Sequence, residues 1–294
     1  MISPTLSYRS IYRAGLFDGK VVIVTGGGSG IGRCTAHELA SLGATVALFG
    51  RTREKLDGVC AEIALAGGRA SAHVCDIREE EAVKRAVAAV LAAHGKIDGL
   101  VNNAGGQFPA PLAKISAKGW DTVMRNNLTG GFLVSRECYT QWMVEHATGC
   151  AIVNIIADMW LGMPGMGHSG AARAGMLNFT ETAAIEWAPV RVNAVAPGWI
   201  ASSGMDHYGP EMRARIRGLH KHVPLGRLGT ESEVSAAIVF LLSPAAAFVS
   251  GSCVRVDGAV PNARRSSPQA SNSANEPFNA FLLAQKPKVL DEDE

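Results

Sequence analysis

The sequence predicts an α/β protein: a single domain on a doubly wound, mostly parallel sheet of about seven strands, with helices on both faces. Three observations predict it. Short Val/Ile/Ala-rich runs alternate with longer amphipathic segments along most of the chain. The runs are nearly continuous in apolar residues, as strands covered on both faces must be. A glycine-rich turn follows the first run and opens the first helical segment, so backbone N–H groups face outward at a helix start.

The elements follow in order. "KVVIVTG" reads as the first strand and "GRCTAHELASL" as the first helix. "ATVALFG" and "ASAHVCD" are strands separated by the helix "TREKLDGVCAEIALAG", and "REEEAVKRAVAAVLAAHG" is the next helix. "KIDGLVNNAG" is a strand, and "KGWDTVMRNNLTGGFLVSRECYTQWMVEH" reads as one long helix. "CAIVNII", "VRVNAVAPG" and "SCVRVDG" complete the strands, with "GAARAGMLNFTETAAIEWA" and "ESEVSAAIVFLLS" between them. Residues 1–17 form an N-terminal arm, and 18–260 form the domain. Between 202 and 224 "SSGMDHYGPEMRARIRGLHKHVP" departs from the sheet rhythm. After Val260 the chain turns to Ser, Asn and Pro with few large apolar groups, so 261–294 is expected to be a flexible tail.

Composition narrows the function classes. With 294 residues, 47% hydrophobic and 18% charged, the chain can bury a large core. A net charge of +2 made of interspersed signs argues against a nucleic-acid partner. No apolar run approaches the length of a membrane span, and "MISPTLSYRSIYRAG" lacks the apolar segment of a secretory signal. The six cysteines are scattered without a C-x-x-C, which predicts reduced thiols, no metal site and a cytoplasmic setting.

Within "VVIVTGGGSGIGR", Gly26 permits a sharp turn, while Gly30 and Gly32 let backbone approach a pyrophosphate and let the helix pack on the strand. Ser29 adds a hydroxyl. The alternative is a merely tight strand-to-helix turn. Strand 2 ends "ALFGRTREK": an acidic residue there would grip both ribose hydroxyls of NAD, but Arg51 and Thr52 stand there instead. A guanidinium suits a 2′-phosphate, which predicts NADP(H). Arg33 is either a second contact or a solvated helix arginine.

Over roughly residues 18 to 260 the chain resembles the short-chain dehydrogenase/reductase family, whose fold is the Rossmann arrangement. The T-G-x-x-x-G-x-G loop, Asp76-Ile77, Asn102-Asn103-Ala104-Gly105, "NNLTG" and Pro197-Gly198 carry the resemblance. It implies cofactor contacts from Gly26, Ser29, Gly30, Ile31 and Gly32, and from Asp76 and Ile77 at the adenine. Asn103, Ala104 and Gly105 would line the ribose. Pro197, Gly198, Ile200 and Ser202 would lie along the nicotinamide. Asp76 has a second reading as the N-cap of "REEEAV".

The catalytic pattern breaks. Family members that interconvert alcohols and ketones use an Asn, a Ser and a Tyr-x-x-x-Lys. The Asn matches Asn127, with Asn126 adjacent, and the Ser falls on Ile156 or Ala157. The Tyr falls on Ser169 and the Lys on Arg173, and no Tyr-x-x-x-Lys occurs anywhere in the chain. A serine hydroxyl is far less acidic than a phenol, and an arginine does not relay protons at neutral pH. Such a site is poorly equipped to protonate an alkoxide. It suits reduction of an α,β-unsaturated thioester, where donors around the enolate oxygen carry much of the catalysis.

"NNAGGQF", "ISAKGWDTVMRNNLTGGF", "HSGAARAG" and "LLSPAAAFVSG" look like the peroxisomal trans-2-enoyl-CoA reductase branch, related to the 2,4-dienoyl-CoA reductases. In the dienoyl enzymes a Tyr or Asp acts from another position, which makes Asp158 a candidate acid; a helix cap or surface acid is its alternative. Asn127, Asp158, Ser169 and Arg173 are therefore the catalytic candidates, and His168 reads as a local structural histidine. In the family, residues 202–224 are the substrate lid. Arg213, Arg215, Arg217 and Lys221 there are candidates for the acidic phosphates of a coenzyme A tail, with a solvated cationic helix face as the alternative. The expected function is NADPH-dependent reduction of a small-molecule enoyl-CoA-type thioester by a homotetramer. Carbonyl reduction on the same fold and a catalytically silent NADP(H)-binding protein are the alternatives.

Overall fold

The computed structural model describes residues 8–262 and 275–290. Strands β1 (Val21–Thr25), β2 (Thr45–Gly50), β3 (Arg69–Val74), β4 (Gly99–Asn102), β5 (Ala151–Ile155), β6 (Arg191–Pro197) and β7 (Cys253–Val256) form one sheet in the order β3-β2-β1-β4-β5-β6-β7. Each neighbouring pair is parallel, so the sheet is wholly rather than mostly parallel. β1 and β4 sit side by side although β2 and β3 intervene in sequence. At that reversal of strand order, a crevice opens beyond the carboxyl ends of the strands.

Two apolar layers flank the sheet. One packs α1 (Gly30–Ser41), α2 (Arg53–Leu65) and α8 (Glu231–Leu242) through Leu39, Leu56, Ile63 and Ile238. The other packs α3 (Glu80–His94), α5 (Gly130–Cys138) and α6 (Gly167–Glu186) through Val87, Val90, Val134 and Ala183. The long helix expected after β4 is a continuous helical run. It consists of α4 (Ala117–Met124), a π-helical stretch at Arg125–Thr129, α5, and a second π stretch at Tyr139–Met143. A buried amide chain sets the height of this run against the sheet. Asn102 donates to Ser135 Oγ and Asn154 Oδ1, and Asn154 donates to Thr180 Oγ1 on α6.

Residues 202–224 hold α7 (Pro210–Arg217) between two short 3-10 segments, Ser203–His207 and Leu219–His222. The described part of the N-terminal arm is pinned to α1: Tyr8 and Ser10 donate to the buried carboxylate of Glu38, which Ser235 of α8 reaches from the other side.

The expectation of a loose C-terminal tail needs correction over 275–290. Ala280, Phe281 and Val289 are buried there, and the segment bonds to α1, α8 and the lid. The large apolar groups of 275–290 enter sites formed by side chains already in place, except Leu282, which is exposed. The remainder of that stretch, 263–274 and 291–294, lies outside the described residues. Among the described residues no helix is long and apolar enough to cross a membrane. No His, Cys, Asp and Glu cluster there is placed to hold a metal ion, and the six cysteines are free.

Candidate active site

The phosphate cradle is built by close approach. Gly26 and Gly30 hold φ of 65° and 57°, a region side chains avoid. A Cβ on Gly32 would lie 2.4 Å from the Gly26 carbonyl oxygen, so α1 meets β1 only as glycine. Thr25 Oγ1, at the end of β1, accepts from the backbone N–H of both Asn103 and Ala104 at 2.9 Å. Asn103 Nδ2 donates back to the Thr25 carbonyl. Ser29 is the N-cap of α1, and its hydroxyl bonds no N–H of that helix. The first turn of α1, with Ile31, therefore presents N–H groups and a hydroxyl outward.

A cleft of about 260 Å³ runs from this turn along the strand ends. It brings together Gly26, Ser29, Arg51, Thr52, Asp76, Ile77, Asn103, Ala104 and Gly105 from the sequence reading, and adds Lys55 and Asn126. Arg51 is exposed at its rim. Asp76 accepts from the backbone N–H and guanidinium of Arg78, which holds its carboxyl below the usual range. It does not cap α3, whose N-cap is Glu79. Arg33 points away: it forms a bidentate ion pair with Glu62 at 2.8 Å, so it serves the structure on α1.

At the other end, the π stretch carries Asn127 inward. Its Nδ2 donates to the carbonyls of Gly106 and Val123, and its Oδ1 accepts from Gly106 N–H. Arg173 is half-buried on α6. Its Nη1 donates to the Ile155 carbonyl at 2.6 Å, while its Nε is buried without a partner. Burial pushes the guanidinium down to about 10, so it stays charged at neutral pH. A Cβ on Gly105 would lie 2.6 Å from both Arg173 Nη2 and Asn127 Oδ1, so glycine there lets the two side chains pack behind this cleft residue, while neither of them lines the cleft itself.

Ser169 donates to Gln107 Oε1 at 2.5 Å. Gln107 was not singled out in the sequence, although it stands in the quoted "NNAGGQF"; only the fold carries that loop across the start of α6. A hydroxyl has one proton, so in this geometry Gln107 takes it and the amide N–H₂ becomes the available donor. With the amide turned over, its N–H bonds Ser169 Oγ and the hydroxyl proton is released. Either way the pair keeps a donor. His168 is fully buried, its Nδ1 accepts the Ser169 N–H, and its ring stands edge-on to Phe108, which is a structural arrangement.

Ile156 is buried at the end of β5, where the family serine is one candidate match. Asp158 Oδ1 is buried without a hydrogen-bond partner. Burial and the neighbouring Asp257 raise its carboxyl, against Arg255. Its backbone N–H bonds the Pro197 carbonyl, which sets it beside the β6 end rather than in hydrogen-bond contact with Ser169 or Arg173. Gly198 packs on Asp257, Ile200 is buried in a bridge to Gly229, and Ser202 precedes the lid's first turn. Of the lid cations, Arg213 is bonded to the carbonyls of Asp206 and Tyr208, whereas Arg215, Arg217 and Lys221 are exposed.

A parallel seven-stranded sheet, with a glycine cradle at its reversal point and a polar cluster at the end of β5, is the framework of a dinucleotide-dependent oxidoreductase. The family model described as enoyl-(acyl carrier protein) reductase matches residues 26–260, and the chain belongs to the short-chain dehydrogenase/reductase family, whose members use NAD(P)(H). It is 37% identical over 243 residues to a probable 2,4-dienoyl-CoA reductase of Bacillus subtilis (strain 168), covering 81% of this chain and 95% of that protein. It is 36% identical to a 3-oxoacyl-[acyl-carrier-protein] reductase of Thermotoga maritima, covering 82% and 97%. Among solved structures, a citronellol catabolism dehydrogenase of Pseudomonas aeruginosa PAO1 shares 63% identity with a TM-score of 0.78, over 86% of this chain and all of that one.

Proposed function

We propose that the protein is an NADP(H)-dependent reductase of the C=C bond of an enoyl-CoA-type thioester. The observation that carries this reading is the Ser169–Gln107 pair beside the half-buried Arg173 guanidinium, in the place of a phenol and an amine. The pair and the guanidinium can hold a negative oxygen, and neither is an acid suited to an alkoxide.

The residues fit a dinucleotide. The cradle leaves no room for side chains at Gly26 and Gly32, which lets backbone approach a pyrophosphate closely. Gly26, Ser29, Gly30, Ile31 and Gly32 would hold the pyrophosphate, and Arg51 with Thr52 the 2′-phosphate. Asp76 and Ile77 would flank the adenine, and Asn103, Ala104, Gly105 and Arg173 the nicotinamide ribose. Pro197, Gly198, Ile200 and Ser202 would border the nicotinamide. When bound, NADPH supplies the hydride. The chain's own task is then to hold the thioester oxygen through Gln107 and Ser169 and to keep Asn127 on the loop. Hydride reaches the β carbon, charge collects on the thioester oxygen, and the α carbon takes a proton. Water supplies that proton in this reading; Asp158, bonded at the β6 end and out of hydrogen-bond contact with Ser169 and Arg173, keeps a raised carboxyl as the one feature that favours a role as the acid.

A second reading is supported by the 63% identity to the citronellol catabolism dehydrogenase: oxidation or reduction of an acyclic terpenoid alcohol or carbonyl. One screen separates the two. NADPH consumption is measured with trans-2-enoyl-CoA, 2,4-dienoyl-CoA and 3-oxoacyl-CoA compounds, and NADP⁺ reduction with citronellol. Turnover of enoyl or dienoyl thioesters supports the first reading. Turnover of citronellol or the 3-oxo compound alone overturns it. Tight NADPH binding with no turnover favours a silent binding protein. We also propose a homotetramer, checked by sedimentation.

A further inference from the structure

The C-terminal segment crosses three parts of the molecule. It leaves α8 with Phe278, whose carbonyl accepts from Thr230 Oγ1, and passes α1 with Phe281, whose N–H donates to Ser232 Oγ. The Phe281 ring is buried between Tyr8, His37 and the Arg33 guanidinium, so this point is a firm anchor. Beyond the anchor the Leu283 carbonyl accepts from Arg33. The segment ends on the lid: Val289 is 1% exposed against Met205 and Ile216, and its N–H donates to Asp206 Oδ1 at 3.1 Å.

Between these two attachments, Gln285 lies on the rim of a cavity of about 290 Å³ lined also by Gly28, Ser29, Gly30, Glu231 and Ser203. That cavity shares Gly28, Ser29 and Lys55 with the cleft along the strand ends. The segment therefore bridges the start of α1 and the lid, outside the glycine turn.

We propose that residues 281–289 close the cavity adjoining the dinucleotide cleft at the start of α1, with Gln285 on the pyrophosphate side of that cavity and Val289 fixing the 202–224 segment as a positioning residue. The Gln285 part rests on the dinucleotide reading above; the Val289 part does not. Arg33, Lys55, Glu54, Glu62 and Glu231 also line this cavity, so a neutral amide leaves their balance unchanged, whereas a charge placed at Gln285 shifts it and acts on an anion directly. Val289 is the buried apolar contact from the segment to α7, and a carboxylate there would face Asp206 in a closed site.

Two sets of variants test it. NADPH affinity is titrated for Gln285→Lys and Gln285→Glu at low salt. Lysine should tighten binding and glutamate weaken it, each by about fivefold, with the difference shrinking as salt rises. Equal affinity for both variants overturns the assignment of Gln285. Absence of NADPH binding in the wild type overturns the dinucleotide reading itself. The lid is followed without any ligand, by amide hydrogen exchange over residues 205–217. Val289→Asp should accelerate exchange there by at least about tenfold and leave β1 and β4 protected, and Val289→Ile should restore the wild-type rate. Unchanged exchange in Val289→Asp overturns the positioning role.

Discussion

Ser169 on α6 and Gln107 on the loop after β4 are 62 positions apart in sequence and share one short hydrogen bond, Ser169 Oγ to Gln107 Oε1. In the proposed reaction one donor of this pair serves the substrate oxygen, so the two side chains are expected to act as a unit. Ser169→Ala and Gln107→Leu should each lower turnover by about 1–3 kcal/mol, as loss of an oxyanion donor does. The double variant should lose little more than either single variant. NADPH affinity should be unchanged in all three, measured by titration. Simple additivity would show that the two residues act separately.

Arg173 presents the opposite balance of stability and function. Its guanidinium is half-buried, bonded to the Ile155 carbonyl, and forms no ion pair with a carboxylate among the described residues. A charge held partly out of water without a counter-charge is costly to the fold, and an apolar group of similar length removes that cost. Arg173→Met should unfold at or above the wild-type temperature, yet bind NADPH about tenfold more weakly and lose most turnover. A fall in thermal midpoint together with retained affinity would show that Arg173 is structural.

Cofactor choice is assigned to Arg51, exposed at the rim beyond β2. Arg51→Asp should weaken NADPH binding by about 2–3 kcal/mol, with NADH much less affected. Equal losses for both cofactors would remove the 2′-phosphate from its role.

The central strands were legible because β1, β2 and β4 are covered on both faces and read as apolar runs, whereas β3 and β7 at the sheet edges are only half-buried. The residues of the cradle were legible for a related reason: a local turn with positive φ at Gly26 and Gly30 needs glycine at those positions. Gln107 was not legible, because its meaning depends on a contact with α6 that no local pattern encodes. The segment 275–290 was hidden by its lack of pattern. Its apolar run 280–284 and the pair Val289 and Leu290 show neither strand nor helix periodicity, and Phe281 and Val289 are buried because α1 and the 202–224 segment provide their sites. Arg33, for which the sequence leaves two readings open, is ion-paired with Glu62.

Glu231, at the start of α8 and 7% exposed, gives the protein a pH-dependent stability. Burial raises its carboxyl to about 7, against a partial offset from Arg33. The folded state therefore holds this proton more tightly than the unfolded chain, where the group titrates near about 4.3. Its stabilising contribution is complete below that lower value. It is lost as pH rises toward 7, and above 7 the folded protein carries a buried carboxylate. Glu231→Gln keeps the shape and stays neutral at every pH. The variant should match the wild type near pH 4.5 and exceed it at pH 8 by up to about 3 kcal/mol, read from urea unfolding at the two pH values. Equal stability of the two proteins at pH 8 would mean that the Glu231 carboxylate is solvated through the cavity beside Gly30 rather than isolated from water.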